Sequence, residues 1–147
     1  MRFEPKDQDW ETKTRASFAR QAFMSHLGAR LTHVMPGEAD IELDLVPQLT
    51  QQHGFFHAGA TSSIADSAAG YAALTLFPAD TGVLTSEYKI NLLNPARQPV
   101  IVARGRVVKP GRTLTICQSD VFGLDAGNEI HLATGLFTLM ALAGMKD

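Results

Sequence analysis

The residues with the clearest chemical potential lie where a polar loop runs directly into an uncharged helix. The loop Gln51–His57 reads QQHGFFH, and the predicted helix from about His57 to Leu76 consists mostly of Ala, Gly, Ser and Thr. The first backbone N–H groups of a helix have no intrahelical partner and lie at the positive end of the helix dipole. The N–H groups of Ala58, Gly59 and Ala60 are therefore expected to be free to stabilise a developing oxyanion.

Asp66 is the second such group, because it is a lone carboxylate within that uncharged helix. Burying an ionised carboxylate is costly unless it is paired or hydrogen-bonded, and such groups cluster at functional sites. A structural role, with hydrogen bonds to backbone or serine groups or an arginine partner, is the alternative. Asp66 and His57 are separated by roughly 13 Å along one helix axis and by half a turn. If both serve one site, a second copy of the chain must supply Asp66, so the catalytic interpretation predicts a two-fold dimer.

The surrounding patterns predict one α+β domain that covers residues 1–147. Apolar spacing predicts an amphipathic helix from about Trp10 to His26. The alternation over Glu38–Leu45 predicts a half-buried strand with Ala29–Met35 as its hairpin partner. After the uncharged helix, short turns separate further strands, which are therefore expected to be antiparallel neighbours. These strands are predicted at 83–93, 100–109, 113–122 and 129–140.

A helix without a charged face is expected to be buried nearly all round, with strands packed close to its small side chains. The predicted fold is therefore a curved antiparallel β-sheet wrapped around a central buried α-helix. In this fold, residues 1–27 form an N-terminal helical segment, and residues 28–142 contain the sheet and the central helix.

Composition excludes several other classes of protein. Hydrophobic residues make up 45% of the chain and charged residues 19%, as in ordinary globular proteins. A net charge of −2 argues against nucleic-acid binding, and the single cysteine, Cys117, excludes an internal disulfide. The N-terminus lacks a signal-peptide pattern, and the apolar stretch Ile130–Met145 is shorter than the ~20 residues of a membrane span. We therefore expect a cytoplasmic protein without nucleic-acid or membrane partners.

These motifs together resemble the PaaI-like hotdog-fold acyl-CoA thioesterases. The similarity rests on Gln51–Gly59 with Asp66 nine residues after its histidine, and on Leu84–Asn91 followed by Asn94-Pro95-Ala96. It covers most of the chain. The resemblance implies a sheet bent around a central helix, and hydrolysis of acyl-CoA without a metal or other cofactor. It also implies at least a homodimer, and a homotetramer built from two dimers.

The resemblance implies a role for each motif residue. The Ala58 N–H would polarise the thioester carbonyl, and Asp66 of the partner subunit would act as the nucleophile or as the base that activates water. Gln51 would hold the water or the carbonyl, and the Thr85 hydroxyl would assist the aspartate. His57 would shape the loop and form a hydrogen bond near the thioester sulfur.

The sequence departs from the family motif at one position, and two of the motif residues have alternative, structural roles. The His-Gly-Gly motif of the family is His-Ala-Gly at 57–59, so the N–H is kept while a methyl group narrows the approach. Helix capping is the alternative role for His57, and an ordinary strand position is the alternative for Thr85. Glu87 and Lys89 fall on the same strand face as Thr85 by alternation and are interpreted as a solvated pair.

A basic stretch supports an anionic ligand, since coenzyme A carries phosphates that need cationic partners. Residues 88–119 contain basic residues and no acidic one. The turn formed by Lys109, Pro110, Gly111 and Arg112 offers two cations and free N–H groups for those phosphates. A solubilising face that pairs with the acidic strand Glu38–Asp44 is the alternative.

The predicted activity is acyl-CoA thioester hydrolysis. A non-catalytic acyl-CoA-binding module with the same fold is the alternative, and a hydratase is disfavoured because its paired Asp/His signature is missing. The acyl group cannot be identified from the sequence, although the apolar residues near the motif are candidates for lining its pocket. These candidates are Phe55, Phe56, Tyr71 and Leu74.

Overall fold

The computed structural model of the chain describes residues 2–146. Within them the helices are α1 (Trp10–Arg20), α2 (Ala22–Leu27) and α3 (Ala58–Leu74), with a single 3-10 turn at Pro47–Leu49. The strands are β1 (Arg30–Met35), β2 (Glu38–Asp44), β3 (Thr81–Leu92), β4 (Val100–Lys109), β5 (Leu114–Asp125) and β6 (Asn128–Ala143).

The strands form one curved antiparallel sheet in the order β1-β2-β4-β5-β6-β3. Helix α3 crosses the inner face of this sheet and packs mainly on β4, β2 and β5. The predicted α+β architecture, with a sheet around a central helix, is confirmed. Strands β1 and β3 are left as the two edges of the sheet.

The small residues of α3 allow the sheet to lie very close to the helix axis. A Cβ atom at Gly105 of β4 would lie 2.3 Å from the carbonyl oxygen of Ala68. Only a glycine fits there, and the facing helical residue is itself an alanine. The thiol of Cys117 on β5 is fully buried. Burial raises the pKa of the Cys117 thiol to about 12.

Strand β2 has the predicted alternation, with Ala39, Ile41 and Leu43 fully buried. Of its outward carboxylates, Glu42 and Asp44 pair with Arg30 of β1. Glu38 and Asp40 pair with Arg106 of the neighbouring strand β4, with 2.6 Å between Arg106 Nη1 and Asp40 Oδ1. At this arginine, the alternative interpretation of the basic stretch as a face paired with the acidic strand is confirmed.

The N-terminal helix is interrupted, contrary to the continuous helix expected from Trp10 to His26. Gln21 has an extended backbone (φ −75°, ψ 100°) that separates α1 from α2. The change of direction also turns Phe23 outward, to 52% exposure, while Met24 is buried. Apolar spacing that assumes one helix axis therefore assigns the wrong core residue beyond the break.

A β-bulge changes the facing of side chains along β3. The pairing with β6 passes from Thr85–Leu139 directly to Glu87–Thr138, which leaves Ser86 as the extra residue. Thr85 therefore faces α3, whereas Glu87 and Lys89 face outward. The prediction that the three residues share one face is wrong, because an inserted residue reverses the alternation of a strand.

Candidate active site

The first turn of α3 is capped by the residue that precedes it. His57 has an extended backbone, and its ring Nδ1 accepts a hydrogen bond of 2.8 Å from the Gly59 N–H. Its carbonyl accepts from the N–H groups of Ala60 at 2.9 Å and Thr61 at 3.3 Å. Because Nδ1 is an acceptor, the neutral ring carries its proton on Nε2. The alternative role of His57, a helix cap, is confirmed.

Capping leaves the N–H of Ala58 as the available donor of the first turn. Among residues 2–146 this group has no hydrogen-bond partner, whereas the N–H groups of Gly59 and Ala60 are both used. The expectation that all three are free is wrong, because the ring and the carbonyl of His57 satisfy the other two. A single N–H therefore remains at the positive end of α3 to polarise a carbonyl group.

The loop before α3 is fixed to the rest of the domain by its backbone. The Phe56 N–H donates to the Ala96 carbonyl at 2.8 Å. Gly54 reverses the chain with φ +81°, a conformation that favours glycine. The side-chain Oε1 of Gln51 accepts from the His53 N–H, so the Gln51 carboxamide is held beside the helix start.

A cavity of about 530 Å³ opens beside the start of α3, and both Gln51 and Ala58 line it. Phe55 and Phe56 line this cavity as predicted, but Tyr71 and Leu74 do not, since Leu74 is fully buried in the core. The apolar part of the lining comes from Phe55, Phe56, Leu92, Leu93, Pro95 and Leu132. Such a cavity fits an apolar group bound next to a polarised carbonyl.

The Asp66 carboxylate lies half-buried in the middle of α3. Burial raises its pKa above the ordinary aspartate value, and a hydrogen bond from Thr85 lowers it. In that bond the Thr85 hydroxyl donates to Asp66 Oδ1 over 2.7 Å. The structure therefore brings Asp66 and Thr85 together, and the bulge in β3 is what turns the hydroxyl toward the helix.

The structure does not bring Asp66 to Ala58 within one chain. The two residues belong to the same straight helix. Because they are eight positions apart, they are separated by roughly 12 Å along the helix axis. The N–H donor and the carboxylate therefore cannot act on the same atom within one chain.

The basic turn Lys109–Arg112 is also distant from Ala58 in the same chain. Gly111 lines a cavity of about 380 Å³ together with Leu76 and Phe77, which follow the end of α3. Ala58 lies at the opposite end of this helix, beside the end of β3. The predicted phosphate ligands and the predicted oxyanion donor therefore lie at opposite ends of one protomer.

The sequence analysis did not identify Gln21 as a site residue. Gln21 lines a small polar cavity of about 110 Å³ together with Asp66, Ser67, Tyr71 and Thr85. The available signal was its position, since it continues the inward face of α1, which is marked by the buried side chain of Ser17. A polar residue on the buried face of a helix needs an explanation of the kind applied to Asp66.

The described residues contain neither a metal-binding cluster nor a membrane-spanning helix. No group of three or more His, Cys, Asp or Glu side chains in residues 2–146 is arranged to hold a metal ion. None of the helices in that range is long and apolar enough to span a membrane.

Comparison with known proteins gives consistent matches. A family model described as the thioesterase superfamily matches residues 53–128. The solved structure of a thioesterase family protein from Silicibacter pomeroyi is 47% identical, with a TM-score of 0.90, over 92% of this chain and 99% of that chain. A curated Saccharolobus solfataricus protein that carries an esterase name is 26% identical over 76% of this chain and 72% of its own length.

A more distant structure has the same fold. The PaaI protein from the phenylacetic acid degradation operon of E. coli has a TM-score of 0.84 at 18% identity. The match covers 93% of this chain and 96% of that one. At this identity the similarity concerns the arrangement of the sheet and helix alone.

Proposed function

Because the chain belongs to the thioesterase superfamily and is a PaaI-like hotdog thioester hydrolase, we propose that it hydrolyses acyl-CoA at a site shared by two copies. One observation carries the proposal. Each protomer presents the free N–H of Ala58 beside a large apolar cavity, and it presents the half-buried carboxylate of Asp66 further along the same helix. The two groups are too far apart to meet within one protomer. A dimer that joins the two halves has both parts of a hydrolytic site.

The proposed chemistry follows from these two groups. The Ala58 N–H binds the thioester carbonyl oxygen and stabilises the negative charge that develops on it. Asp66 of the partner subunit drives the attack, either directly on the carbonyl carbon, which forms an anhydride that water then hydrolyses, or by removing a proton from water. The C–S bond then breaks, and coenzyme A leaves as the thiolate. Gln51 and the Nε2–H of His57 line the same cavity and supply further donors for the carbonyl or the sulfur.

Strand β3 is the surface through which we propose that the dimer forms. It is an edge strand of 12 residues, and long exposed edges are templates for pairing with another chain. Tyr88 and Leu92 pair with the buried residues Phe137 and Ala133 of β6, yet they are 47% and 56% exposed. Apolar side chains on the inner face that α3 leaves uncovered are consistent with a partner packing there.

Antiparallel pairing of β3 with its copy would also bring the proposed phosphate ligands of one protomer near the active site of the other. A two-fold axis across β3 sets the beginning of one strand against the end of the other. The turn Lys109–Arg112 of the partner then moves to the end of the joined sheet where Ala58 lies. The proposed phosphate ligands, Lys109, Gly111 and Arg112, thus serve the active site of the neighbouring protomer.

A second association, of two dimers into a tetramer, is proposed through the outer face of the sheet. Leu84 and Leu114 both pair with Met140, so the three side chains form one row across β3, β6 and β5. Leu84 is 50% exposed and Leu114 46% exposed. An apolar row of this kind, on the face opposite α3, fits a contact between sheets packed back to back.

Complementation between two inactive chains tests the shared site. Asp66→Asn keeps the shape of the side chain but removes its charge, and we expect it to bind acyl-CoA without releasing thiol. Ala58→Pro removes the N–H donor at the first helical position, where proline is well tolerated and where the extended His57 backbone suits a following proline. We expect thiol release by this variant to fall on the order of 100-fold or more.

Mixing the two variants after dissociation and reassociation is the decisive measurement. Half of a random mixture consists of heterodimers, and each heterodimer holds one intact site, so about a quarter of the wild-type rate returns. Ala58→Gly, which retains the N–H, separates loss of the donor from loss of the side chain. Differently tagged chains that co-purify but show no recovered activity would contradict a shared site. Hydrolysis by Asp66→Asn at the wild-type rate would contradict the role of Asp66.

A further inference from the structure

The break between α1 and α2 has no local cause in the sequence. Proline, glycine pairs and inserted side chains are the usual causes of a sharp change in helix direction, yet the segment Phe18–Met24 contains neither Gly nor Pro. Gln21 nevertheless leaves the helical conformation, with ψ at 100°. An irregularity among good helix formers is held by tertiary contacts, and such irregularities concentrate at functional sites.

The break brings the Gln21 carboxamide against the middle of α3. The Ser67 hydroxyl donates to Gln21 Oε1 over 3.3 Å, and Ser67 is the neighbour of Asp66 in the helix. Gln21 and Asp66 line the same cavity of about 110 Å³. A polar cavity of this size has room for bound water.

Hydrogen-bond accounting leaves complementary groups in this cavity. Thr85 donates to Oδ1 of Asp66, and Ser67 donates to Oε1 of Gln21. For Oδ2 of Asp66 and Nε2 of Gln21 there is no hydrogen-bond partner among the residues that the structure describes. Water bound here would accept from the Gln21 N–H and donate to Asp66, which satisfies both groups.

We propose that Gln21 positions the hydrolytic water against the Asp66 carboxylate of its own protomer. The inference rests on the proposed function and assigns Asp66 the role of base. Asp66 Oδ2 takes a proton from the water, and the hydroxide attacks the acyl carbon bound at the partner's helix start. The electron pair of the C–S bond leaves with sulfur, and the proton held by Asp66 passes to the departing thiolate.

Within residues 2–146, few ionisable groups surround this cavity, so a pH measurement there reports mainly on Asp66. Tyr71 of α3 is the other titratable residue in the lining. Arg20 of α1 and Lys146, near the C-terminus, line an adjoining groove of about 220 Å³ that also contains Gln21 and Tyr71. The strand side of the cavity contributes Val83 and Thr85, neither of which titrates.

Gln21→Glu is the informative variant, because it keeps the shape of the side chain and the acceptor for Ser67 but adds a carboxylate beside Asp66. A like charge at this distance raises the pKa of an aspartate. We expect the acid limb of kcat to move upward by about one pH unit or more. Carbon-13 titration of the Asp66 carboxyl in the free protein follows the same shift without substrate. Gln8→Glu, an exposed glutamine outside the cavity, is the matched control and leaves both measurements unchanged.

Gln21→Ala tests the water contact itself, and we expect kcat to fall about tenfold or more while KM changes by less than about twofold. Ser67→Ala removes the contact between the helices but keeps the carboxamide. An equal loss of kcat in both variants, with no pH shift in Gln21→Glu, would assign Gln21 a structural role and overturn the proposal. If Asp66→Asn is inactive and Gln21→Glu is unshifted, the water assignment alone fails. If Asp66→Asn retains full activity, the proposed function itself fails.

Discussion

Two opposing effects set the protonation of Asp66. Burial favours the neutral acid and raises its pKa, while the hydrogen bond from Thr85 favours the carboxylate. In the proposed role as base or nucleophile, Asp66 must be ionised to act, and the hydrogen bond from Thr85 extends its ionised form to lower pH. Thr85 contributes in this account by tuning the carboxylate, whichever of the two chemical steps Asp66 performs.

The removal of this hydroxyl has a predictable sign. Thr85→Val removes the effect that lowers the Asp66 pKa, so the acid limb of kcat/KM moves to higher pH while the plateau at high pH changes little. The pH profile of thiol release measures the shift, and Thr85→Ser, which keeps a hydroxyl, is the control. Profiles of the valine variant and the wild type that coincide would show that the hydroxyl does not tune Asp66.

Among the site residues, Asp66 was identified in the sequence because it is isolated in an uncharged helix. The structure shows that its carboxylate is half-buried, as expected for that helix. The number of free N–H groups at the start of α3 could not be predicted from the sequence, because it depends on which atoms of His57 accept hydrogen bonds. Gln21 was overlooked because a glutamine in a helix is usually solvated. Its inward position becomes informative only when the helical face is followed from Thr14 and Ser17.

At the start of α3, His57 caps the helix while the N–H of Ala58 remains free. A Cβ atom at Gly59 would lie 2.9 Å from Nδ1 of His57, so any side chain there pushes the ring away from its hydrogen bond. Nothing lies within 4 Å of the same atom at Gly70, further along the helix. A side chain therefore fits at Gly70, whereas at Gly59 it would displace the ring of His57.

Alanine substitutions at these glycines separate the two cases. Gly70→Ala is expected to stabilise the fold by about 0.5–1 kcal/mol through helix propensity. Gly59→Ala gains nothing net, since loss of the histidine cap costs about 1 kcal/mol. Urea unfolding of the two variants and the wild type measures the difference. Equal stabilisation at both positions would show that His57 does not cap the helix.

Elements with regular patterns were predicted well, and the irregular ones were not. The alternation of β2 and the small residues of α3 each reflect one face packed against the core, so pattern and structure agree. The bulge at Ser86 and the break at Gln21 are set by partners distant in the sequence. Local periodicity in the sequence therefore does not predict the bulge or the break.

At the scale of the whole molecule, the two edges of the sheet differ in their proposed use. Strand β3 is long and exposes Tyr88 near its middle, whereas the opposite edge, β1, is a strand of 6 residues that exposes Met35 to 52%. Both edges therefore offer a large apolar side chain to solvent. We propose that only the β3 edge is covered in the functional assembly.

A charge placed on each edge in turn tests this assignment. We expect Tyr88→Glu to yield folded monomers without activity, because a buried carboxylate at the interface is costly. Met35→Glu, on the other edge, is expected to assemble normally. Sedimentation velocity gives the mass of each species, and Tyr88→Phe controls for loss of the phenol. Dissociation by Met35→Glu instead would move the interface to β1.

Assembly was the least accessible property in the sequence, although the catalytic interpretation of His57 and Asp66 predicted a dimer. The spacing between His57 and Asp66 indicated that one chain could not complete the site. Which edge would provide the contact could not be inferred, because both edge strands contain apolar residues. Our proposal of the β3 edge rests on the order of strands in the sheet and on the exposure of both Tyr88 and Leu92.

The buried position of Cys117 has a practical consequence for a protein that handles activated acyl groups. A thiolate near the substrate would compete with water, since thioesters exchange readily with thiolates and would leave the enzyme S-acylated. With a pKa of about 12 and a fully buried side chain, the sole thiol of the chain stays protonated and out of reach. We therefore expect the native enzyme to be inert toward thiol reagents, so that colour formed with them during turnover comes from the released thiol alone.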